Sequence, residues 1–279
     1  MRSLSLLAFS ATMMAPAASA CDLYPTTRPE TVSGYWTLAD TCLNTPPAPA
    51  RFDAVAEAEF AAEINGARAL EGLHPLEIRT ELVPAARFHS LDQIWNGTFG
   101  HDGAAGRTQG DRISALDRTL IRSFSAENVA RASGDYDPAI VPNLLHNSLM
   151  ESPGHLKNIM AEKATHMAIG VARVRDGWVV TQLFVGLEGA FTDPVPLQAG
   201  GVDSGQLEAH LTGWTLHAVR DGPRRAIDSP PCSVDCPDRL VSTIEVEGRR
   251  PAESGRGYHV ITLSGPSRDR ARETGAIRP

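Results

Sequence analysis

The sequence predicts an α+β fold in which helices cover a sheet, followed by a smaller β-rich region. Apolar residues recur with a helical period through most of residues 53–160. The period then changes to two β-rich runs, Ala168–Val174 and Trp178–Val185, joined by the hairpin signal Arg175–Asp176–Gly177. Further short β-like runs, rich in intervening Gly and Pro, follow at Leu211–Val219, Leu240–Val246 and Tyr258–Leu263.

The composition is ordinary for a globular protein and carries a negative charge. The chain has 279 residues, of which 42% are apolar and 21% charged, and its formal net charge is −7. A nucleic-acid partner would favour a basic surface, so we expect none.

The amino terminus has the pattern of an export signal. A positive start at Met1–Arg2 is followed by the mostly apolar run Leu4–Met14 and by the small-residue cleavage pattern Ala18–Ser19–Ala20. We therefore interpret residues 1–20 as a signal peptide and expect a secreted or periplasmic protein. The apolar run is too short to cross a membrane, and no later stretch approaches that length.

Four cysteines lie beyond the predicted cleavage site, and an even number in an exported chain favours disulfides. The simplest of three connectivities pairs Cys21 with Cys42 and Cys232 with Cys236. A half metal site at the second pair is a weaker interpretation, because no further ligand pair lies nearby. Cys21 directly follows the cleavage pattern, so a lipid anchor on Cys21 is an alternative.

Helices dominate the first half of the chain after a linker. Residues 21–50 are rich in Pro and Thr, which predicts an extended linker rather than a packed element. Glycines concentrate between residues 98 and 110, which predicts a loop. Helices are expected, in chain order, at 53–70, 80–95, 111–120 and 138–150, with a further helix beginning at Ser152.

The stretch Ser152–Pro153–Gly154–His155 combines a helix start with a titratable side chain. Ser152 suits the N-cap and Pro153 the first helical position. His155 then lies in the first turn, where the positive end of the helix dipole favours a neutral imidazole. A neutral histidine at such a corner can bind a ligand, or it can serve packing alone.

Three separated motifs each place a chemically active residue at a loop or an element boundary. They are Phe99–Gly100–His101, Ala126–Glu127–Asn128 and Ser152–Pro153–Gly154–His155. Two histidines and a carboxylate that converge could bind a divalent metal or form an acid–base site. His89 is assigned to packing.

These motifs, in this order, resemble the CAP superfamily. This superfamily, also called the SCP-like extracellular domain, includes cysteine-rich secretory proteins, antigen 5 proteins and pathogenesis-related 1 proteins. The resemblance spans residues 57–187 and follows the bacterial branch. Further blocks that carry it are Ile64–Asn65 with Arg68, Gly72 and Pro75–Leu76, then Gly106 with Asp111–Arg112–Ile113, then Ile169–Gly170–Val171 and Val180–Phe184.

The resemblance implies a three-layer α-β-α sandwich, which we place at residues 51–192. The β-like runs that follow predict a small β-rich appendage at residues 193–279. It also implies a cleft lined by two histidines and two acids. His101 and Glu127 correspond to family positions, and His155 to the histidine of bacterial members. The fourth acid has no counterpart; Glu151 is the nearest candidate.

The function expected from this resemblance is ligand binding. The cleft would bind a divalent metal, which we expect to be zinc, through His101 and His155. It would also bind an unknown protein, lipid or cell-envelope ligand. One alternative is a metal-assisted, peptidase-like hydrolase with Glu127 as the catalytic base, although the chain lacks a His-Glu-x-x-His motif. Another is a non-catalytic structural or interaction protein, in which the polar cluster only joins helices to the sheet.

Overall fold

The computed structural model describes residues 21–23, 32–103 and 108–194, together with the backbone of five strands between residues 209 and 278. The helices are α1 (Val32–Asn44), α2 (Ala54–Leu70), α3 (Val83–Asn96), α4 (Gln109–Leu116), α5 (Val141–Glu151) and α6 (Pro153–Ile159). The strands are β1 (Arg51–Phe52), β2 (Glu77–Ile78), β3 (Leu120–Ser133), β4 (His166–Val174), β5 (Gly177–Phe191), β6 (Ala209–Leu211), β7 (Thr215–Ala226), β8 (Arg239–Arg249), β9 (Gly257–Pro266) and β10 (Thr274–Arg278).

A mainly antiparallel sheet forms the centre of the fold. Its strand order is β1-β4-β5-β3, with β2 parallel to β4 and with β6 paired to the end of β5. The predicted hairpin joins β4 to β5, with Val174 opposite Gly177. Among the described strands β3 pairs only with β5, so β3 is an edge strand.

Helices cover both faces of this sheet, which confirms the α+β fold with three layers. Successive residues of a strand point to opposite faces. Ile169, Val171 and Val180 face one side, where they pack in one core with residues of α2, α5 and α6. We call this side the α2 face. Ala168 and Leu183 face the other side, the α3 face, and pack with α3 and α4.

The α3 face is held close to the sheet at Gly170. A Cβ built on Gly170 would lie 2.1 Å from the backbone nitrogen of Arg87 and 2.2 Å from the carbonyl carbon of Ala86. The hydroxyl of Ser90 donates to the Gly170 carbonyl oxygen at 2.8 Å, in a fully buried position. Only glycine therefore allows α3 to approach β4 this closely.

Residues 21–50 are not simply a linker, and this prediction was wrong for residues 32–44. They form α1, in which Tyr35, Ala39 and Cys42 are buried against α3. The predicted disulfide between Cys21 and Cys42 is present. Its sulfur–sulfur bond uses the Cys21 thiol, so this form has no thiol for a lipid anchor. The apolar positions of α1 repeat with a helical period that the surrounding Pro and Thr residues obscured.

The helix predicted at 111–120 begins at Gln109 and ends at Leu116. The residues from Leu120 to Ser133, for which the sequence analysis predicted no strand, form β3. Polar residues such as Glu127 and Asn128 interrupt its apolar alternation. The pattern-based argument for a strand was therefore weak.

A second, four-stranded antiparallel sheet has the order β10-β9-β8-β7. Its strands include most of the β-like runs predicted after residue 193. The predicted signal peptide, residues 1–20, and the pair Cys232 and Cys236 lie outside the described residues. None of the helices among the described residues is both long and apolar enough to cross a membrane.

Candidate functional site

The site is built around Glu127 on the edge strand β3. Glu127 lies opposite Leu183 of β5 and so points to the α3 face, whereas its neighbour Asn128 lies opposite Gln182 and points to the α2 face. The Glu127 residue is only 6% exposed. A buried carboxylate needs partners for its charge, and the loop and helix that follow α3 supply them.

Arg112 is the buried counter-charge of this carboxylate. Arg112 lies in α4, whose start is fixed by a capping box between Thr108 and Asp111. Its Nη2 donates to Glu127 Oε2 at 2.5 Å, and its Nη1 donates to the carbonyl oxygen of His101 at 2.7 Å. The Arg112 guanidinium, which is 2% exposed, therefore binds both the Glu127 carboxylate and the backbone of the loop that carries His101.

His101 contacts the other carboxylate oxygen. Its Nδ1 lies 2.9 Å from Glu127 Oε1, while its side chain is 59% exposed. An ionised carboxylate only accepts hydrogen bonds, so Nδ1 carries the proton and Nε2 is left for a ligand when the ring is neutral. The hydrogen bond to Glu127 outweighs partial burial and raises the pKa of His101.

The pKa of Glu127 moves in the opposite direction. Burial alone would raise it, but the hydrogen bond from His101 and the charge of Arg112 together outweigh burial, so the pKa of Glu127 is lowered. The carboxylate is therefore ionised at neutral pH, with both of its oxygens engaged.

His89 also belongs to this site, although the sequence analysis assigned it to packing. It is 1% exposed on α3, and its Nε2 lies 3.0 Å from the Gly100 carbonyl oxygen and 3.7 Å from Glu127 Oε1. Burial, followed by the charge of Arg112, lowers the pKa of His89 to about 3. The ring is thus neutral at pH 7, and its proximity to Glu127 is no ion pair. Polar His89 and Gln93, four residues apart on a buried helix face, were the available sequence signal.

His155 approaches the same edge of the sheet from the α2 face. It lies in the first turn of α6, which Ser152 precedes at the N-cap position without a side-chain capping bond. Burial, followed by the charge of His101, lowers the pKa of His155. The ring is therefore neutral near pH 7, and it lies close enough to sense His101.

Two asparagines fix α6 against β3. Asn128 Nδ2 donates to the carbonyl oxygen of His155 at 3.1 Å. Asn158 Nδ2 lies 2.9 Å from Asn128 Oδ1 and 3.2 Å from the carbonyl oxygen of Glu127. The backbone of the α6 first turn is thereby tied to the strand that carries the acid.

The structure thus joins His101 to Glu127 directly, and it ties the backbone of His155 to the same strand through Asn128. Glu151, the candidate fourth acid, is exposed at the end of α5, and within the described part of the chain it forms no hydrogen bond or ion pair with these residues. No group of three or more His, Cys, Asp or Glu side chains within the described ranges is arranged to hold a metal ion.

Comparisons with known proteins concern mainly the first sheet and its helices. Residues 61–185 match the CAP family, described as the cysteine-rich secretory protein family. The uncharacterized protein YkwD of Bacillus subtilis is 30% identical over 122 residues, which cover 44% of each chain. The chain therefore spans less than half the length of this curated relative.

Two solved structures are also similar in part. An outer surface protein of Borrelia burgdorferi has 18% identity and a TM-score of 0.43, covering 49% of this chain and 98% of that one. An extracellular protein from Bacillus anthracis that contains an SCP domain has 26% identity and a TM-score of 0.40, covering 48% of this chain and 41% of that one.

Proposed function

We propose that the protein is an exported binding protein of the CAP, or cysteine-rich secretory protein, family, which residues 61–185 match, and that its cleft binds a divalent metal through His101 and His155. The observation that carries the proposal is the 2.9 Å contact between His101 Nδ1 and Glu127. A histidine that ligates a metal usually donates its other ring N–H to a carboxylate, which fixes the tautomer.

The chemistry of the two histidines fits a zinc ion. His101 presents Nε2 on a half-exposed ring, and the lowered pKa of His155 keeps that imidazole neutral and able to ligate. Zinc accepts neutral imidazole nitrogens, and its remaining positions would be filled by water or by donors of a bound partner. A site with two protein ligands predicts weak to moderate affinity.

Glu127 serves this site by orienting His101 rather than by taking a proton. Both of its oxygens are engaged by His101 and Arg112, and its pKa is lowered. A general base for hydrolysis works best with a pKa near the working pH and with a free oxygen directed at water. The arrangement therefore favours binding over the hydrolase alternative.

Export is supported by the signal-like residues 1–20 and by the disulfide between Cys21 and Cys42. Disulfides persist in oxidising compartments outside the cytosol. The partner is therefore expected outside the cytosol, as a protein, a lipid or another component of the cell envelope.

The test is zinc titration by calorimetry on the mature chain. We expect a single weak site in the wild type and its loss in the double variant His101→Ala/His155→Ala. His166→Ala is a matched control, since His166 has its own carboxylate, Glu77, at 3.7 Å but lies on β4, two strands from β3. Equal zinc uptake by the double variant would overturn the proposal.

A peptide-library cleavage assay tests the hydrolase alternative. The binding proposal expects no zinc-dependent cleavage by the wild type. Cleavage that disappears in Glu127→Gln, with zinc still bound, would instead support an enzyme.

A further inference from the structure

Gly100, the residue before His101, is held at both its backbone N–H and its carbonyl oxygen by one helix. The backbone N–H of Gly100 donates to Gln93 Oε1 at 2.8 Å. The Gly100 carbonyl oxygen lies 3.0 Å from His89 Nε2. His89 and Gln93 are four residues apart on α3, so their side chains project from the same face of the helix.

The chemistry of this contact sets the proton on His89. A carbonyl oxygen only accepts, so Nε2 must carry the hydrogen and donate it to Gly100. The neutral ring then has its lone pair on Nδ1, which is buried and has no hydrogen-bond partner in the described part of the chain. The buried Nδ1 of His89 therefore goes without a hydrogen bond among the described residues, which costs stability, while the Nε2–H of the same ring donates to the loop that carries His101.

The loop itself requires such support. Gly100 has a φ of +147°, a backbone conformation that residues with a Cβ rarely adopt. A Cβ on Gly103 would lie 3.0 Å from Arg112 Cδ and 3.5 Å from His89 Nδ1, so the loop closes tightly over both side chains. The His101 ring is exposed at the surface of this loop and receives little support from packing.

We propose that His89 and Gln93 are positioning residues, which clamp the backbone of Gly100 on both sides of its Cα and thereby hold His101 Nδ1 on Glu127 with Nε2 free for a ligand. The clamp acts on the backbone before His101, and Arg112 acts on the carbonyl oxygen after it. Ordering an exposed side chain costs conformational entropy, and this pre-organisation removes part of that cost from ligand binding. The consequence for metal affinity rests on the proposed function, whereas the clamp itself does not.

The variants separate the clamp from general stability. His89→Leu removes the donor to Gly100, while His89→Gln keeps an N–H at a similar reach. Gln93→Leu removes the acceptor, while Gln93→Glu keeps it. Ser90→Ala is the matched control, because Ser90 lies on the same helix, is equally buried, and bonds Gly170 and Thr181 instead of the loop.

The first measurement needs no metal. In proton NMR of the labelled mature protein, the His101 Nδ1–H bound to Glu127 is expected as a slowly exchanging downfield signal. It should persist in Ser90→Ala and His89→Gln and disappear in His89→Leu/Gln93→Leu. If the signal and the Gly100 amide are unchanged in that double variant, with a native far-UV spectrum, the proposal is overturned.

The second measurement is the zinc dissociation constant by calorimetry. Outer partners of metal ligands typically change affinity by about 10–100-fold, and we expect a rise of that size in His89→Leu and Gln93→Leu. His89→Gln and Gln93→Glu should restore most of the affinity, and Ser90→Ala should leave it unchanged although it lowers the melting temperature. If the wild type binds no zinc, the proposed function fails and the NMR result alone decides the clamp.

Discussion

Glu127 and Asn128 are adjacent on the edge strand β3, and they hold the two histidines of the site from opposite faces of the sheet. The Glu127 carboxylate accepts from His101 on the α3 face, at 2.9 Å. The Asn128 amide donates to the backbone of His155 on the α2 face, at 3.1 Å. Because successive side chains of a strand alternate in direction, one dipeptide can serve both sides.

This arrangement explains why the site lies at a sheet edge. Side chains on opposite faces of an interior strand would be separated by the sheet and its neighbouring strands. At β3, which has a paired neighbour on one side only among the described strands, no further described strand separates the His101 loop from α6. The carbonyl oxygen of Glu127, which accepts from Asn158, is part of the same contact.

Glu127→Gln is expected to destabilise the protein by about 3–5 kcal/mol, because it removes the buried carboxylate charge that pairs with the Arg112 guanidinium. The pKa of His101 should also fall, since the hydrogen bond to Glu127 is the main cause of its being raised. Urea unfolding measures the first effect and an NMR titration of the His101 ring the second.

The matched control is Glu188→Gln, a carboxylate on β5 that accepts from Ser123 at an exposed position. It should change the free energy of unfolding by less than about 0.5 kcal/mol. If the two substitutions lower the free energy of unfolding equally, the burial of Glu127 beside Arg112 does not determine the loss of stability.

Asn128→Leu is expected to loosen α6 from β3. Asn128 is fully buried and connects His155, Asn158 and Gln182, so its loss leaves several buried polar groups unsatisfied. Each such group costs about 1–3 kcal/mol. Urea unfolding should show a loss of at least that size.

Asn143→Leu provides the comparison for this asparagine. Asn143 donates to Glu63 at the surface, and its replacement should be close to neutral. The zinc affinity should fall in Asn128→Leu only. A zinc affinity equal to that of the wild type would mean that α6 keeps His155 in place without this amide.

The helices and the hairpin were predictable because their signals are local. The Asp53 side chain accepts from Ala56 N–H at the start of α2, and Gly97 ends α3 in the left-handed conformation. Both features follow from residue type and position alone. The β4–β5 hairpin likewise follows from its Asp-Gly turn between two β-rich runs.

The site depends on contacts that no local pattern encodes. His101 and Glu127 are 26 residues apart, and their contact was expected only from the resemblance to a family. His89 was assigned to packing because burial and a polar role look the same in a helical pattern. Its role becomes visible only when Gly100, which is 11 residues away, is placed against it.

Acidification should weaken the fold partly through His89. The pKa of His89 is lowered from 6.5 to about 3 in the folded state, chiefly by burial. As the pH falls below 6.5, the unfolded chain takes up a proton at this ring and the folded chain does not. The contribution of the neutral His89 ring to the free energy of unfolding is therefore fully present above pH 6.5. It is lost between pH 6.5 and about 3, by at most about 1.4 kcal/mol per pH unit.

The measurement compares urea unfolding at pH 7 and pH 4.5 for the wild type and for His89→Gln. The variant should lose less stability on acidification, since its amide does not titrate. The neighbouring groups Arg112, Glu127 and His101 are present in both proteins and cancel in the comparison to first order. Parallel losses in the two proteins would contradict the assignment.

Gly170→Ala should be among the most destabilising single-methyl changes in this chain. The added Cβ would lie 2.1 Å from the backbone nitrogen of Arg87, and backbone cannot move aside as a flexible side chain can. We expect α3 to be displaced from β4 and the free energy of unfolding to fall by more than about 3 kcal/mol, at the upper end of overpacking costs.

Gly66→Ala makes the same chemical change in the interior of α2, where a Cβ would meet nothing within 4 Å. There alanine should stabilise the helix by about 0.5–1 kcal/mol. The two glycines thus predict opposite signs for one substitution, and urea unfolding of both variants measures them. If Gly170→Ala proves as well tolerated as Gly66→Ala, α3 cannot lie as close to β4 as the structure places it. The α3 side chains that hold the His101 loop would then lie elsewhere too.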